Sequence, residues 1–353
     1  MADGKIKVGV VGAGAVARLA HLPGYAADPR VEIVGVVDTA QHRAEALAEM
    51  FGSQAYPSIA ALLSEGGAQA VSICVPNSVH APLALEALRG GADVLIEKPM
   101  ALEPSEATEI AATARSDGRV LMVGMTHRFT NRATVLARYL DAGRFGRIYH
   151  ARAVWMRRRG DPGGWFTDKK YSGGGAMMDI GVHALDLAWW LMGRPEPVRV
   201  TGSLHREIAP YETEFVGAWP TADRPAEAVF DVDDFMAAHI QFENGASLEI
   251  SVAWAVNGPD GSLDLDLYGT KGGARLNPLT VYTEEEGVVT NSTPLVPSDG
   301  DTWTDEVRHF VDVVESRAEP LITGEQGVQV VRMLHAISQS AEQGRQVDLE
   351  AEG

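Results

Sequence analysis

A short β-branched strand at residues 5–11 runs straight into Gly12-Ala13-Gly14-Ala15-Val16-Ala17, and a helical segment follows to about residue 26. A strand, a GxGxxA turn and a helix in that order fit either a nucleotide-binding βαβ unit or an ordinary glycine turn, and the strand and acid that follow favour the first. Gly12 permits the tight turn, Gly14 removes a Cβ so that a pyrophosphate can reach the backbone, and Ala17 lets helix and strand pack closely. Gly12, Gly14, Ala15 and Val16 are the candidate phosphate cradle, since helix N-termini stabilise phosphate charge. A second strand at 31–37 ends in Asp38, roughly 20 residues beyond the glycines, where a ribose-binding acid belongs. A carboxylate there accepts hydrogen bonds from the ribose hydroxyls and repels a 2′-phosphate, which favours NAD over NADP. Thr39 next to it is neutral, and Arg43, one turn into the next helix, is the residue that would suit NADP. The plainer alternative for Asp38 is a solvated residue ending a strand.

The alternation continues with helices near 42–51, 80–90 and 105–116, a short capped helix after Ser58, and strands near 70–75, 93–96 and 119–123. Strands alternating with helices predict a doubly wound parallel sheet, whose ligands sit beyond the carboxyl ends of the strands. Two loops occupy such ends: Pro76-Asn77-Ser78-Val79-His80 and Glu97-Lys98-Pro99-Met100. Pro76, Asn77 and His80 are read either as cofactor contacts or as a helix start with Asn77 as its cap. Glu97 and Lys98 form either a solvated turn or, at the end of a buried strand, a sterically fixed pair facing the cofactor.

A second informative stretch is Gly173 to Met192, three glycines feeding an apolar helix that ends at Gly193 and Pro195. Its only ionisable groups are Asp179, His183 and Asp186, whose i, i+4, i+7 spacing places them on one helical face. Ionised groups in so apolar a helix must pair or line a wet cleft. Asp179 is either a first-turn cap or the partner of a general base, and His183 either a hydrogen-bonded core residue or that base. Around this helix the strict alternation has stopped. A helix at 132–142, strands at 147–156, 198–205, 235–242, 246–254 and 262–268, and helices at 303–316 and 324–343 predict an α+β second domain, with the division drawn at 126/127. Residues 209–228, rich in proline and acids, read as an exposed excursion.

Composition excludes several classes. With 353 residues, 45% hydrophobic and 22% charged, the chain has enough apolar mass for two cores. A net charge of −18 repels nucleic acid and anionic membranes. No apolar run approaches the ~18 residues of a membrane span, and the first residues lead into a strand rather than a signal peptide, so a cytoplasmic protein is expected. The single cysteine, Cys74, lies within a strand pattern and reads as a small buried side chain. No metal-ligand spacing appears. Arg157-Arg158-Arg159, Lys169 and Lys170 form a local basic cluster near Trp165. Arg157 suits an anionic group and Trp165 a pyranose face, or both are ordinary surface and packing.

These elements together resemble the glucose-fructose oxidoreductase and inositol dehydrogenase (Gfo/Idh/MocA) family. The resemblance is carried by GAGAVA at 12–17, Asp38, PNSVH at 76–80, EKP at 97–99, Arg128-Phe129 and SGGGAMMDIGVHALD at 172–186, with further likenesses at Asn244-Gly245-Ala246, 268–273 and 320–324. It implies an N-terminal Rossmann domain (1–126) and a C-terminal domain (127–353) whose large open, mainly antiparallel sheet carries a homodimer or homotetramer interface. It further implies NAD(P)-dependent oxidation or reduction of a hydroxyl on a sugar, cyclitol or related polyol, and matches Lys98, Asp179 and His183 to the family's catalytic residues. Asp186 matches a further acid of the motif, read here as structural. Two other activities occur in the family: glycoside cleavage by transient oxidation of the sugar, possibly an anionic one, and non-enzymatic NAD sensing. The intact Lys98, Asp179 and His183 set argues against the second of these.

Overall fold

The computed structural model describes residues 4–213, 229–317 and 319–349, so most of the excursion expected at 209–228 lies outside the described residues. Two compact units divide the chain. The first takes residues up to Thr126 and also Asp301–Val331, while the second starts at His127. The segment 301–331 therefore joins the first unit, which a single cut at 126/127 does not express.

The first unit is built on β1 (Ile6–Val11), β2 (Val31–Val37), β3 (Gln54–Tyr56), β4 (Ala70–Ile73), β5 (Asp93–Glu97) and β6 (Leu121–Gly124). They pair in parallel in the order β3-β2-β1-β4-β5-β6. Helices α1 (Leu22–Ala27), α2 (Gln41–Met50), α3 (Ile59–Ser64), α4 (His80–Arg89) and α5 (Pro104–Ser116) supply the crossovers. Strands β4, β5 and β6 are buried along their whole length, as expected for a sheet covered on both faces. The order reverses between β1 and β4, which puts the ligand crevice at Gly12 and the segment after Ile73. Between β1 and α1, residues Ala17–His21 form a π-helical turn, a feature frequent at functional positions.

The second unit contains α6 (Asn131–Asp141), β7 (Ile148–Met156), α7 (Lys169–Ser172), a π-helical turn at Met177–Gly181 and α8 (Val182–Leu191). The strands β8 (Pro197–His205), β9 (Phe235–Phe242), β10 (Ser247–Ala253), β11 (Asp264–Gly269), β12 (Gly272–Arg275), β13 (Thr280–Glu285), β14 (Val288–Ser292) and β15 (Val347–Asp348) follow. With β7 they make a nine-stranded sheet, antiparallel except for the β7–β10 pair. One face is buried through Ala151, Ala153, Met236, Ile240, Leu248, Ile250, Val252, Leu265 and Leu267. Strands β12 to β14 carry little periodic apolar signal, and successive pairing outward from β11, β12 on β11, β13 on β12 and β14 on β13, makes them strands.

Two further helices lie between β14 and β15. α9 (Thr302–Ser316) belongs to the first unit, and α10 (Gly324–Gln343) is counted partly in each. Among the described residues no helix is long and apolar enough to cross a membrane.

Candidate active site

In the first unit, Gly12 takes φ +99°, and a Cβ there would collide with the carbonyl oxygen of Cys74, so only glycine fits. A Cβ on Gly14 would meet nothing nearer than that same oxygen at 4.0 Å, so the turn is open on this side and its backbone is approachable. Asp38 braces the turn: Oδ2 accepts from Ala13 N at 2.7 Å and Oδ1 from Ala40 N at 2.7 Å. A carboxylate offers about four acceptor positions, so both oxygens keep capacity for a ribose diol. Open glycine backbone, a helix start and a braced acid fit a dinucleotide.

The two loops beyond β4 and β5 are locked to each other. His80 is wholly buried, and its ring lies 2.9 Å from Val75 O and 2.7 Å from Pro99 O, which joins the two strand ends. Burial lowers its pKa against the pull of the two carbonyl acceptors. Glu97 is buried as well: Oε1 accepts from His21 Nε2 at 3.0 Å and Oε2 from the Lys98 amide at 3.2 Å. Burial opposes its ionisation, but the hydrogen bond and charge of His21, with Lys98 and His80, outweigh it and hold the carboxyl below the usual range. His80 and Glu97, expected among the cofactor contacts, thus spend their polar groups inside the protein and frame the loop that carries Lys98. Lys98 itself is partly exposed and is followed by a cis peptide bond to Pro99. Cys74 is buried, and burial raises its thiol pKa, which suits the structural reading.

In the second unit the glycine-led helix is capped from a distance. Asp233 Oδ1 accepts from Gly175 N at 2.7 Å and Oδ2 from Met177 N at 2.8 Å, so Asp233 and not Asp179 is the first-turn cap. Burial pushes the Asp233 carboxyl up although two amides bind it. Asp179 is thereby released for the site: its Oδ2 accepts from the indole of Trp254 at 2.9 Å and lies 3.9 Å from the Arg157 guanidinium. Arg157 stacks over Trp155 at 4.9 Å and donates to Gly160 O at 3.0 Å. His183, partly exposed, has its ring centroid 4.9 Å from that of His127, which in turn meets Trp155 edge-on at 5.2 Å. Asp179, His183, His127, Trp155, Trp254 and Arg157 therefore form one cluster.

The single face expected for Asp179, His183 and Asp186 is not realised. Asp186 is 1% exposed and forms a bidentate pair with the wholly buried Arg128, Nε to Oδ2 at 2.9 Å and Nη2 to Oδ1 at 2.6 Å. The wider π turn at Met177–Gly181 alters the angular spacing on which the i, i+4, i+7 argument rests. Trp165 stacks on Phe166 at 3.9 Å. Arg159 is consumed locally, donating to Val256 O and Asn257 Oδ1 and lying over Tyr211. Sequence reasoning did not single out His21, His127, Trp254 or Asp233. The one available signal for Asp233 was an acid pair, Asp233-Asp234, just before a strand. Among the described residues, no three His, Cys, Asp or Glu side chains gather as a metal site requires.

Comparison with known proteins decides the lineage. Residues 6–125 match the model of an oxidoreductase family with an NAD-binding Rossmann fold, and residues 134–275 match the GFO/IDH/MocA C-terminal domain. The chain belongs to the Gfo/Idh/MocA family. This family member is 32% identical over 354 residues to D-glucoside 3-dehydrogenase of Escherichia coli (strain K12), covering 99% of both chains. It is 26% identical to levoglucosan dehydrogenase of Pseudarthrobacter phenanthrenivorans over 77% of this chain and 73% of the relative. Among solved structures, GenD2 from gentamicin A biosynthesis in complex with NAD is 27% identical, with TM-score 0.78 over 99% of this chain and 97% of that one. An oxidoreductase domain protein from Kribbella flavida shares the fold with TM-score 0.84 at 23% identity, over 98% of this chain and 100% of that one. The Gfo/Idh/MocA protein described here is accordingly an NAD-binding oxidoreductase.

Proposed function

We propose that this oxidoreductase is an NAD-dependent dehydrogenase of a neutral sugar or glycoside. The observation that carries the reading is its end-to-end relation to a D-glucoside 3-dehydrogenase, 99% of each chain, with Lys98, Asp179 and His183 all present. Asp38 supports NAD over NADP, because its carboxylate would repel a 2′-phosphate. Bound NAD supplies the hydride acceptor. His183 takes the proton of the substrate hydroxyl as general base. Lys98 donates a hydrogen bond to that oxygen while negative charge develops on it, an interaction strongest in the transition state. Asp179, held by Trp254 and Arg157, orients the sugar through a neighbouring hydroxyl and keeps negative charge close to the base. Gly12, Gly14, Ala15, Val16, Pro76 and Asn77 line the dinucleotide cradle.

The state of Arg157 supports a neutral substrate. Its guanidinium is already engaged by the Trp155 face, Gly160 O and the Asp179 carboxylate, so it serves Asp179 rather than a substrate anion. Trp165, stacked on Phe166, keeps a partly exposed ring for a sugar face. The outer face of the large sheet supports a homodimer or homotetramer: Tyr268 and Tyr282 share one register row across Gly273 and are 43% and 37% exposed. A cytoplasmic location, where NAD is available, completes the reading.

The test is a panel of methyl D-glucoside, free hexoses, cyclitols and their phosphorylated or acidic counterparts, followed by NADH absorbance with product analysis. Stoichiometric keto-sugar and NADH from neutral members are expected. Aglycone release without NADH accumulation would assign redox-assisted glycoside cleavage instead, and turnover confined to acidic sugars would overturn the part given to Arg157.

A further inference from the structure

The dinucleotide turn and the strand that carries Lys98 are joined by a buried polar chain. His21, 0% exposed, closes the π-helical turn that follows the glycines. Its Nδ1 lies 3.0 Å from Ser72 Oγ on β4, which is itself 2.7 Å from Tyr25 OH, and its Nε2 donates to Glu97 at 3.0 Å. The other Glu97 oxygen takes the Lys98 amide. We propose that His21 is a positioning residue of the reaction, transmitting the set of the dinucleotide helix to Lys98 through the Glu97 carboxylate. The inference rests on the role given to Lys98 above.

A purely packing role would be filled more cheaply by an apolar side chain, because every polar group removed from water costs free energy unless it is bonded. Here an imidazole, a hydroxyl, a phenol and a carboxylate are buried together and bonded to one another, which specifies position rather than volume. The charged and titratable groups around Glu97 come from every neighbouring element: His21 from the π turn, His80 from α4, Lys98 beside it, Cys74 after β4 and Glu306 from α9. Burial and the neighbouring Glu97 push the Glu306 carboxyl up, whereas His21, Lys98 and His80 draw that of Glu97 down, so the negative charge of the pair favours Glu97. The negative charge of that cluster is therefore fixed one residue from the lysine.

The experiment uses the full-length enzyme with methyl D-glucoside and NAD, comparing His21→Leu, His21→Gln, Glu97→Gln and Lys98→Met by kcat, KM, NAD affinity and the pH profile of kcat/KM. His21→Leu is expected to lower kcat on the order of 10-fold or more, the size of a small misplacement of a reacting group. His21→Gln, which keeps a donor toward Glu97, restores most of it. Glu97→Gln, nearly isosteric, is expected to move the basic limb of the profile to lower pH, and it reads out the link even if His21→Leu fails to fold. Wild-type kcat and an unmoved profile in the His21 and Glu97 variants, with Lys98→Met inactive, would overturn the inference and leave the function standing. An active Lys98→Met would overturn the assignment of Lys98 itself, and this inference with it.

Discussion

The indole nitrogen of Trp254 donates to Oδ2 of Asp179 at 2.9 Å from a ring that is fully buried. The bond links the end of the β10 segment to the π-helical turn, and it fixes a carboxylate that the helix alone would leave free to rotate. A hydrogen bond to a charged group contributes about 1.5–3 kcal/mol. Trp254→Phe keeps most of the volume and removes the donor, so kcat/KM for the sugar should fall by about 10- to 100-fold. Affinity for NAD, measured by calorimetry, should stay close to wild type, since the glycine turn and Asp38 belong to the first unit and Trp254 to the second.

His183 is the residue assigned to proton transfer. His183→Ala is expected to lower kcat by roughly 10² or more. NAD binding should be nearly intact, and the acidic limb of the rate profile, where a protonated imidazole no longer accepts, should disappear from the residual activity. A variant that turns over at the wild-type rate would transfer the base role to another group.

Asp38 braces the glycine turn, and the proposed function gives it a second task, presenting acceptors to the ribose. Asp38→Ala should weaken NAD by about 10-fold or more, equivalent to the loss of at least one hydrogen bond to a charged acceptor. It should weaken NADP much less, because the repulsive charge is gone. Titration of both coenzymes by intrinsic fluorescence measures the ratio.

Glu306 gives a stability prediction with a definite sign. It is fully buried, Thr126 Oγ1 approaches its Oε2 at 3.5 Å, and its Oε1 has no hydrogen-bond partner among the described residues. Burial and the neighbouring Glu97 raise its pKa well above the usual carboxyl value. The folded state therefore binds a proton that the unfolded chain releases above its ordinary carboxyl pKa of about 4.3. The contribution is whole below that pH and declines as pH rises toward the folded pKa, by at most about 1.4 kcal/mol per pH unit. Glu306→Gln removes the titration, so its stability advantage over wild type should grow from about pH 4.3 upward. Denaturant melts across pH test this, and a constant difference would show that Glu306 does not titrate.

The Arg128–Asp186 pair is a buried ion pair in the second unit, 0% and 1% exposed at the side chains. Asp186→Ala leaves a guanidinium in the core and should cost about 3–5 kcal/mol. The urea midpoint should fall with the slope unchanged, whereas a surviving midpoint would mean that water reaches Arg128.

What the sequence determined by itself was the order of things close together along the chain. The β1 turn, Asp38, the alternation that makes a parallel sheet and the apolar glycine-led helix are short-range patterns, and short-range sterics and periodicity are what spacing records. The strands β12 to β14, at one end of the large sheet, were not legible, because short strands of glycine-rich or polar composition gain their structure from a neighbour already in place. Only the tertiary structure decided who holds whom: Trp254 on Asp179, 75 residues apart; His21 on Glu97, 76 apart; Asp233 on Gly175 and Arg128 on Asp186, each 58 apart. Such pairs leave no local signature, since a buried polar group is selected for a partner in space and any chain separation that folding can close will serve.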